Sequence, residues 1–405
     1  MHVYAGKKII VGVSGSIAAF KVAGWVSALA KAEAMVSVVM TEAATRFVTP
    51  LTFSALSGQK TFVSMFADEN GEVMAHIDLG RDADLIILAP ATAQTIARLA
   101  HGLADDLLST TILASRAPVY ICPAMNSRMY SHPATRRNIS ILRELGYQLI
   151  EPGVGIMACK EEGQGRLVEW SEVDDVFQRQ LSVHDLAGQR VLVTAGPTRE
   201  PIDPARFLSN RSSGKMGFAL ARSAWRRGAE VTLVAGPCQL PTPTGVVRID
   251  VQTASEMYEA VLRHAKTNSI IIKSAAVADY RARDVADEKI KKEAIGSYLE
   301  LVKNPDILLE LGKRKTHGQI LVGFAAESSR LLEEGARKRE NKNLDLIAVN
   351  DIGGAATGFE VDTNQVILIG ATGQTTLPFG TKLEIADSLL DQVVKLLSVK
   401  SVGAK

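Results

Sequence analysis

Three polar residues in the first half of the chain have side chains suited to catalysis, and each lies in or beside an element that the sequence predicts. His76 belongs to a predicted helix over residues 72–79, and an imidazole exchanges protons near neutral pH. Asn126 follows a predicted strand, directly behind the run Pro-Ala-Met. Cys159 lies in a glycine-rich loop, from which a thiol can reach a site and deliver a proton. The alternatives are an ordinary helix-surface histidine and a solvent-facing loop cysteine.

The second half offers amide and ammonium groups instead. Asn210 lies in the polar stretch Ser-Asn-Arg-Ser-Ser-Gly-Lys-Met-Gly at 209–217, which presents donors near a predicted helix start. Lys289 opens the run Lys-Ile-Lys-Lys shortly after Asp279, so a carboxylate and an ammonium can meet at one triphosphate. A solvated basic surface is the alternative. The Gly-Lys pair at 214–215 lacks Walker A spacing, which argues against a P-loop ATPase.

Apolar runs that alternate with helical patterns predict how the first half positions its residues. Strands are predicted over residues 8–13, 36–40, 85–89 and 119–122, and a helix over 17–31. Each strand ends in small or hydroxyl residues, and the ends of parallel strands form the edge where α/β sheets bind ligands. The segment that follows the first strand is a Gly-Ser turn, which suits a phosphate at the N-terminus of the next helix. No GxGxxG fingerprint is present, so a flavin mononucleotide fits better than NAD, and a plain tight turn is the alternative.

A second doubly wound domain begins in the middle of the chain. Residues 191–217 read as a strand followed by a long loop, and a helix over 218–227 and a strand over 231–234 come next. Further strands are predicted over 270–272, 346–349 and 366–370, with a last helix over 382–397. The polar segment 182–189 is the predicted boundary. We therefore expect an α/β protein of two doubly wound domains, residues 1–185 and 186–405.

Composition limits the classes of function. A length of 405 residues fits roughly two to three domains of about 150 residues. A net charge of +2 argues against nucleic acid or a membrane surface as the main partner. Three cysteines without a CxxC pair favour a reducing, cytoplasmic setting over a disulfide framework or a zinc site. No apolar run approaches the ~18 residues of a membrane span.

The motifs of the first half resemble a known family. The run Pro-Ala-Met-Asn-Ser-Arg-Met at 123–129, the segment around His76 and the loop around Cys159 are similar to the flavin-dependent cysteine decarboxylases of coenzyme A and lantibiotic biosynthesis. The turn at 15–17 and the segment 92–109 match as well. The resemblance implies a flavodoxin-like flavoprotein domain at the N-terminus.

The resemblance also implies a role for individual residues. His76 lies beside the flavin ring as acid or base, Asn126 holds the substrate carboxylate, and Cys159 is the proton donor. The residues implied to contact FMN are Gly15, Ser16, Ile17, Thr41, Thr92, Ala93, Gln94, Thr95 and Ala124.

This sequence departs from the family pattern at several positions, but none of the departures replaces a catalytic residue. Gln94 interrupts a Ser-Ala-Asn-Thr pattern, and Tyr130 stands where tryptophan is common. Lys160 and Glu161 replace Gly-Asp after the cysteine, which changes the flap and leaves the catalytic residues as they are.

The implied reaction explains the need for a flavin. Loss of CO2 from a cysteine amide leaves a carbanion without an electron sink. The resemblance implies that FMN oxidises the thiol carbon to a thioaldehyde, which provides that sink. The reduced flavin then returns the two electrons to the resulting enethiol, and Cys159 gives the proton.

The second half resembles phosphopantothenate–cysteine ligase domains over essentially its whole length, which implies a Rossmann-like fold. Joined in this order, the two halves are similar to the bacterial bifunctional proteins of coenzyme A biosynthesis. The resemblance implies that CTP activates 4'-phosphopantothenate as an acyl-cytidylate, from which the amine of cysteine displaces CMP. The decarboxylase domain then converts 4'-phosphopantothenoylcysteine to 4'-phosphopantetheine.

The ligase resemblance also assigns residues. Asn210 binds the acyl-cytidylate, and Lys289 stabilises charge on the nucleotide phosphates. Mg²⁺ is expected, with Asp279 as its protein ligand, because polyphosphate activation needs charge neutralisation. The residues implied to contact CTP are Lys273, Ser274, Ala275, Asp279, Lys289, Pro305, Asp306, Ile307, Leu308, Phe324, Lys338 and Lys342.

Two other functions are compatible with parts of the pattern. A flavin- or nucleotide-binding regulatory module would bind without turnover. A flavin oxidoreductase fused to a Rossmann domain would consume NAD(P)H, but the dinucleotide fingerprint is missing. The family resemblance further implies small-molecule substrates and a homo-oligomer, with trimeric decarboxylase units and dimeric ligase units that can combine in a dodecamer.

Overall fold

The computed structural model describes residues 3–66, 75–157, 160–291, 298–327, 331–351 and 361–402. The chain forms two compact units, Met1–Leu181 and Ser182–Lys405, and each is described by itself. No helix among the described residues is long and apolar enough to cross a membrane.

The first unit alternates strands and helices along the chain. Its strands are β1 Lys8–Val13, β2 Met35–Met40, β3 Thr61–Phe62, β4 Leu85–Ala91, β5 Val119–Pro123, β6 Gln148–Leu149, β7 Gly153–Ile156 and β8 Glu162–Arg166. Its helices are α1 Ala19–Lys31, α2 Pro50–Ser57, α3 Ala75–Arg81, α4 Ala93–Ala100, α5 Leu107–Ala114, α6 Ser127–Ser131, α7 Pro133–Glu144 and α8 Trp170–Leu181, and a short 3-10 helix spans Glu42–Arg46.

The sheet of the first unit is doubly wound. Its six strands follow the order β3-β2-β1-β4-β5-β6, and all pairings are parallel. Apart from the short edge strand β3, the order β2-β1-β4-β5-β6 is the flavodoxin-like one. In β1, Ile9 and Val11 pack into one core and Ile10 into another, because helices cover both faces. Burial on both faces explains the continuous apolar run in the sequence.

The second unit contains a larger sheet and several hairpins. Its strands are β9 Arg190–Ala195, β10 Arg199–Asp203, β11 Arg206–Ser209, β12 Glu230–Ala235, β13 Val247–Asp250, β14 Ile270–Lys273, β15 Tyr280–Ala282, β16 Leu301–Lys303, β17 Ile320–Glu327, β18 Leu346–Asp351, β19 Thr363–Asn364, β20 Val366–Gly370, β21 Gly373–Thr376 and β22 Gly380–Thr381. Its helices are α9 Lys215–Arg226, α10 Ala254–Ala265, α11 Ile307–Arg314, α12 Leu331–Asn341 and α13 Lys382–Val402.

The eight-stranded sheet of the second unit is Rossmann-like. The strand order is β13-β12-β9-β14-β17-β18-β20-β21. The six strands from β13 to β18 are parallel and follow the 3-2-1-4-5-6 order, whereas β20 and β21 add antiparallel strands at one edge. With the first unit, this arrangement confirms the predicted class of two doubly wound α/β domains.

One predicted loop is wrong. The stretch after β9 was predicted to be a long loop, but β10 and β11 pair there as an antiparallel hairpin. Its turn is fixed by the buried Asp203, whose Oδ1 accepts the N–H groups of Ala205 and Arg206 at 2.8 Å each. Glu200 is buried as well, and its carboxylate accepts the N–H of Ala254 at 2.9 Å. Because the hairpin buries polar residues, its sequence lacks the apolar alternation that predicts paired strands.

A partly buried ion-pair group in the second unit gives a stability prediction. Asp345 lies 2.8 Å from both Lys315 and Lys400, and its Oδ2 accepts the N–H of Leu321. Burial raises the pKa of Asp345, but these hydrogen bonds outweigh it and hold the pKa below its ordinary 3.8. Asp345→Asn leaves two ammonium groups without their counterion. We expect the free energy of unfolding of the second unit to fall by about 2–4 kcal/mol at neutral pH.

The sign of the pH dependence follows from the lowered pKa. The stabilisation by Asp345 is complete above 3.8 and is lost as the pH falls through the lower pKa of the folded protein. Hydrogen exchange of the second unit, measured by mass spectrometry, should therefore separate Asp345→Asn from the wild type at neutral pH and less so in acid. The exposed Asp284→Asn is the matched control. Equal protection in the variant and wild type at neutral pH would contradict the assignment.

Candidate functional site

The expected flavin residues of the first unit follow strands that end at one edge. Strands β1 and β2 run in parallel, with Val13 opposite Met40, and β4 and β5 pair through Ala91 and Pro123. The segments that follow these strands therefore share the carboxyl edge of the sheet. The expected FMN residues on these segments are Gly15, Ser16, Ile17, Thr41, Thr92, Ala93, Gln94, Thr95 and Ala124.

The turn after β1 approaches its neighbour closely. A Cβ on Gly15 would lie 2.6 Å from the Cβ of Ala43, so a side chain at this position would collide with the 3-10 helix. Ser16 Oγ accepts the N–H of Ala18 at 3.3 Å, and α1 has no acidic residue in its first turn. The backbone at this turn suits an anionic group.

Ser14 ties the turn to the segment after β4, and the sequence did not single it out. Its buried hydroxyl donates to Pro90 O at 2.6 Å and accepts the N–H of Thr92 at 2.9 Å. Thr92 in turn caps α4, where its Oγ1 accepts the N–H of Thr95 at 3.4 Å. A hydroxyl residue directly after an apolar strand was the available signal.

Asn126 lies where a hairpin packs on the segment after β5. Its Oδ1 caps α6 by accepting the N–H of Arg128 at 2.9 Å, and its Nδ2 donates to Glu161 Oε2 at 2.9 Å. The hairpin of β7 and β8 is fixed here because Met125 N–H donates to Gly165 O at 3.0 Å, and a Cβ on Gly165 would lie 2.1 Å from Met125 O. The amide of Asn126 is therefore oriented to donate to a carboxylate.

Of the two other catalytic candidates of this unit, His76 and Cys159, the structure describes only His76. His76 is partly buried in the first turn of α3. Because α3 leads into β4, its N-terminal end lies toward the carboxyl edge of the sheet. Cys159 lies outside the described residues, between β7 and β8.

The second unit contains a cleft of about 400 Å³ at the carboxyl ends of its parallel strands. Asn210 lines it together with most of the residues expected to contact CTP. Those residues are Lys273, Ser274, Ala275, Asp279, Pro305, Asp306, Ile307, Leu308, Phe324, Lys338 and Lys342. Lys289 is exposed and is not among the described residues that line this cleft.

One end of the cleft is a cluster of charges. Lys342 Nζ lies 2.8 Å from Asp306 Oδ2, and Asp306 also caps α11 through the N–H of Leu309. Burial raises the pKa of Asp306, but the hydrogen bond from Lys342 helps to outweigh it and the pKa is lowered. Burial, with the charge of Lys342, lowers the pKa of Lys273 to about 8. This end combines cations with carboxylates and suits a polar ligand with anionic groups.

Buried hydroxyls hold the loop that follows β14. Thr194 Oγ1 accepts the N–H of Ala275 at 3.1 Å, and Thr198 Oγ1 accepts the N–H of Ala278 at 3.0 Å. Asn304 Nδ2 donates to Ala278 O at 2.9 Å. These three residues position the backbone that lines the cleft, and the sequence analysis did not assign them.

Asn210 and the segment of Lys289 both neighbour the β10–β11 hairpin. Asn210 Nδ2 donates to Ala276 O at 3.0 Å, at the wall of the cleft. Ile290 is held by the hairpin, because its N–H donates to Asp203 Oδ2 at 3.2 Å and its carbonyl accepts from Arg206 at 3.0 Å. The hydrogen bond from Arg206 lowers the pKa of Asp203, which keeps this connection charged.

Part of the cleft lining was missed in the sequence assignments. Its polar lining includes Lys215, Asn350, Asn364 and Lys382. Lys215 belongs to the Gly-Lys pair at 214–215, to which the sequence pattern assigned no role. Lys382 lies within a Thr-x-x-Glu capping pattern, in which Thr381 N–H donates to Glu384 Oε2 at 2.7 Å.

The described residues contain no group of three or more His, Cys, Asp or Glu side chains that could hold a metal ion. A magnesium ion that reaches the protein with a nucleotide does not require such a group, because Mg²⁺ keeps several waters and binds through one or two carboxylates and the substrate phosphates. Asp279 is exposed at the cleft and is one such carboxylate.

Fold and site define a protein of two doubly wound units, each with a polar ligand-binding edge. The family described as Flavoprotein matches residues 2–182, and the family described as DNA/pantothenate metabolism flavoprotein C-terminal domain matches residues 186–397. The Coenzyme A biosynthesis bifunctional proteins CoaBC of Haemophilus influenzae and Escherichia coli are 46% and 48% identical to this chain. The alignments cover 96% of this chain and 98% and 97% of those proteins. The chain belongs to the family of coenzyme A biosynthesis bifunctional proteins and is an enzyme.

Two solved structures are similar to parts of the chain. The C-terminal domain of a Coenzyme A biosynthesis bifunctional protein CoaBC is 41% identical, covers 53% of this chain and 98% of that chain, and has a TM-score of 0.46. The FMN-dependent cysteine decarboxylase SpaF is 32% identical, covers 44% of this chain and 97% of that chain, and has a TM-score of 0.39.

Proposed function

We propose that this enzyme catalyses two consecutive steps of coenzyme A biosynthesis. Residues 186–405 join cysteine to 4'-phosphopantothenate with CTP, and residues 1–185 decarboxylate the product to 4'-phosphopantetheine with FMN. The observation that carries the proposal is the cleft of the second unit, where Asn210 and eleven of the expected nucleotide residues meet. The family membership of both halves supports the order of the two activities along the chain.

Ligation proceeds through two displacements. A carboxylate oxygen of 4'-phosphopantothenate attacks the α-phosphorus of CTP, the bond to the β-phosphate breaks, and pyrophosphate leaves. The amine of cysteine then attacks the acyl carbon, loses a proton, and CMP leaves. Lys289 stabilises the negative charge that develops on the phosphates, and Asn210 binds the acyl-cytidylate beside the Ala276 carbonyl. Asp279 would hold a Mg²⁺ ion brought by the nucleotide, which would neutralise charge on the phosphates.

The residues at the carboxyl edge of the first unit fit FMN. Gly15 lies too close to Ala43 for a side chain, so no side-chain bulk covers the backbone of this turn. The start of α1 suits a phosphate. Thr41 and Thr92 follow strands at the same edge and present hydroxyl groups there. When bound, the flavin supplies the reversible two-electron oxidation that makes loss of CO2 from a cysteine amide possible.

The decarboxylase residues act on the substrate around that cofactor. Asn126 Nδ2, which donates to Glu161 in the structure, holds the carboxylate of the cysteinyl group. His76 transfers a proton beside the flavin ring, and Cys159 delivers the proton that completes the enethiol reduction. The enzyme acts as a homo-oligomer, with trimeric decarboxylase units and dimeric ligase units.

Two measurements on the purified protein test the proposal. The visible absorption spectrum should show a bound flavin. Pyrophosphate release in the presence of 4'-phosphopantothenate and Mg²⁺ should be fastest with CTP when CTP, ATP, GTP and UTP are compared. A colourless protein would contradict the FMN assignment, and equal rates with all four nucleotides would contradict the choice of CTP.

A further inference from the structure

The first unit contains a carboxylate that contacts a proposed catalytic residue and has no part in the proposed mechanism. Glu161 directly precedes β8, and its Oε2 accepts from Asn126 Nδ2 at 2.9 Å. Its other carboxylate oxygen, Oε1, lies 3.5 Å from the guanidinium of Arg128. The amide of Asn126 is the group proposed to hold the substrate carboxylate. One amide therefore faces two carboxylates, one from the protein and one from the substrate.

Backbone hydrogen bonds fix the position of Glu161. Its carbonyl oxygen accepts the N–H of Met157 at 2.9 Å, and the N–H of Lys160 donates to the carbonyl oxygen of Met157 at 2.9 Å. Lys160 has a φ of 63°, in the left-handed region that is unfavourable for a residue with a side chain. This tight turn places the backbone of Glu161 within reach of Asn126.

Strand β8 also packs directly on both neighbours of Asn126. A Cβ on Gly163 would lie 2.9 Å from the Cβ of Ser127. The carbonyl oxygen of Gly165 accepts the N–H of Met125, and a Cβ on Gly165 would collide with the carbonyl oxygen of Met125. The glutamate therefore reaches the Asn126 amide from a hairpin that is held in place, unlike a chance contact between two surface side chains.

The contact with Asn126 has the chemistry of a bound substrate carboxylate. An amide N–H donates in the same way to the carboxylate of a glutamate and to that of a cysteinyl group. Two carboxylates at one amide repel each other, so binding of the substrate carboxylate displaces Glu161. Arg128 is 85% exposed, which screens its attraction for Glu161 but leaves it beside the displaced carboxylate.

We propose that Glu161 competes with the substrate carboxylate for the amide of Asn126 and thereby lowers the affinity of the decarboxylase site for ligands that carry this carboxylate. The product has lost the carboxylate, so its affinity does not depend on Glu161. When CO2 leaves, Glu161 returns to Asn126 and the amide regains an acceptor. This role rests on the proposed decarboxylase function and adds to it a residue that sets the affinity for substrate relative to product.

Two unreactive ligands that differ by one carboxyl group test the competition. The amide of 4'-phosphopantothenate with alanine keeps the carboxylate and lacks the thiol, and the ethylamide lacks both. Each is measured as an inhibitor of CO2 release from supplied 4'-phosphopantothenoylcysteine by the full-length protein with FMN, so that only the decarboxylase site is observed. Glu161→Gln should bind the alanine amide roughly 3- to 10-fold more tightly, while the affinity for the ethylamide stays unchanged.

Two further variants separate the contact from general effects. Glu162→Gln makes the same change of net charge at the neighbouring exposed position and should inhibit as the wild type does. Glu161→Ala removes the acceptor and should tighten binding of the alanine amide at least as much as Glu161→Gln. It also provides the test if Glu161→Gln does not fold.

The outcomes distinguish this role from the proposed function. Equal changes for both ligands, or an affinity for the alanine amide that is unchanged or weaker in the Glu161 variants, would overturn the role of Glu161. Loss of CO2 release in both Glu161 variants with flavin still bound would overturn it as well, because Glu161 would then be required for the reaction. Wild-type protein that releases no CO2 would instead refute the proposed decarboxylase function.

Discussion

Asn210→Asp should reduce the rate of ligation by roughly 10²–10³-fold, a loss typical of removing one donor aimed at a developing charge. The amide Nδ2 donates to Ala276 O in the cleft wall, whereas a carboxylate would repel that carbonyl and the anionic acyl-cytidylate. Because the side chain is exposed, the change should leave the fold intact. Pyrophosphate release with CTP and 4'-phosphopantothenate, followed by product formation with cysteine, measures the effect.

The decarboxylase activity of the same variant is its internal control. Asn210→Asp should convert supplied 4'-phosphopantothenoylcysteine at the wild-type rate, since the substituted residue belongs to the second compact unit. Loss of both activities would show that the two halves do not act separately. Ligation at the wild-type rate would remove Asn210 from the mechanism.

Asn126→Asp should give the reciprocal pattern, with decarboxylation reduced at least about 10²-fold and ligation unchanged. Aspartate keeps the acceptor that caps α6 through the N–H of Arg128, so the local helix start is preserved. It loses the Nδ2 donor and places a second carboxylate against Glu161 and the substrate carboxylate. CO2 release from supplied 4'-phosphopantothenoylcysteine measures the loss.

A matched variant separates the effect of the added charge from the effect of the lost hydrogen-bond donor. Asn126→Ser retains a capping oxygen without adding a charge, and it should also lose decarboxylation while binding flavin as the wild type does. Decarboxylation at the wild-type rate in Asn126→Asp would disprove the role of Asn126 as the holder of the substrate carboxylate.

Central strands of both sheets were predictable because they are buried on both faces. The run 8–13 matches β1 Lys8–Val13, and the run 366–370 matches β20 Val366–Gly370. The helix predicted over 218–227 begins earlier, at Lys215, since Gly214 adopts a left-handed conformation with φ of 80° and caps the helix. Hairpin β10–β11 could not be predicted, because its buried positions include Glu200 and Asp203, which are satisfied by contacts distant in sequence.

The candidate sites were predictable only where their residues follow strand ends or match a family motif. Ser14 and Thr194 are buried hydroxyls whose partners Thr92 and Ala275 follow other strands, so the local sequence marks a polar residue at a strand end but not its partner. Lys382 and Asn350 both line the cleft, but Lys382 follows the short hairpin of β19 and β22, which was not predicted from the sequence. The contributions of His76, Cys159 and Lys289 stay predictions that the proposed experiments address.

Cysteine labelled at its carboxyl carbon gives the most direct test that one chain performs both steps. Incubated with the protein, CTP, Mg²⁺ and 4'-phosphopantothenate, it should release labelled CO2 while 4'-phosphopantetheine accumulates. Omission of CTP or of 4'-phosphopantothenate should abolish the release, because the carboxyl group is lost only after ligation. Labelled CO2 that appears without CTP, or a ligation product that accumulates without CO2, would contradict the account.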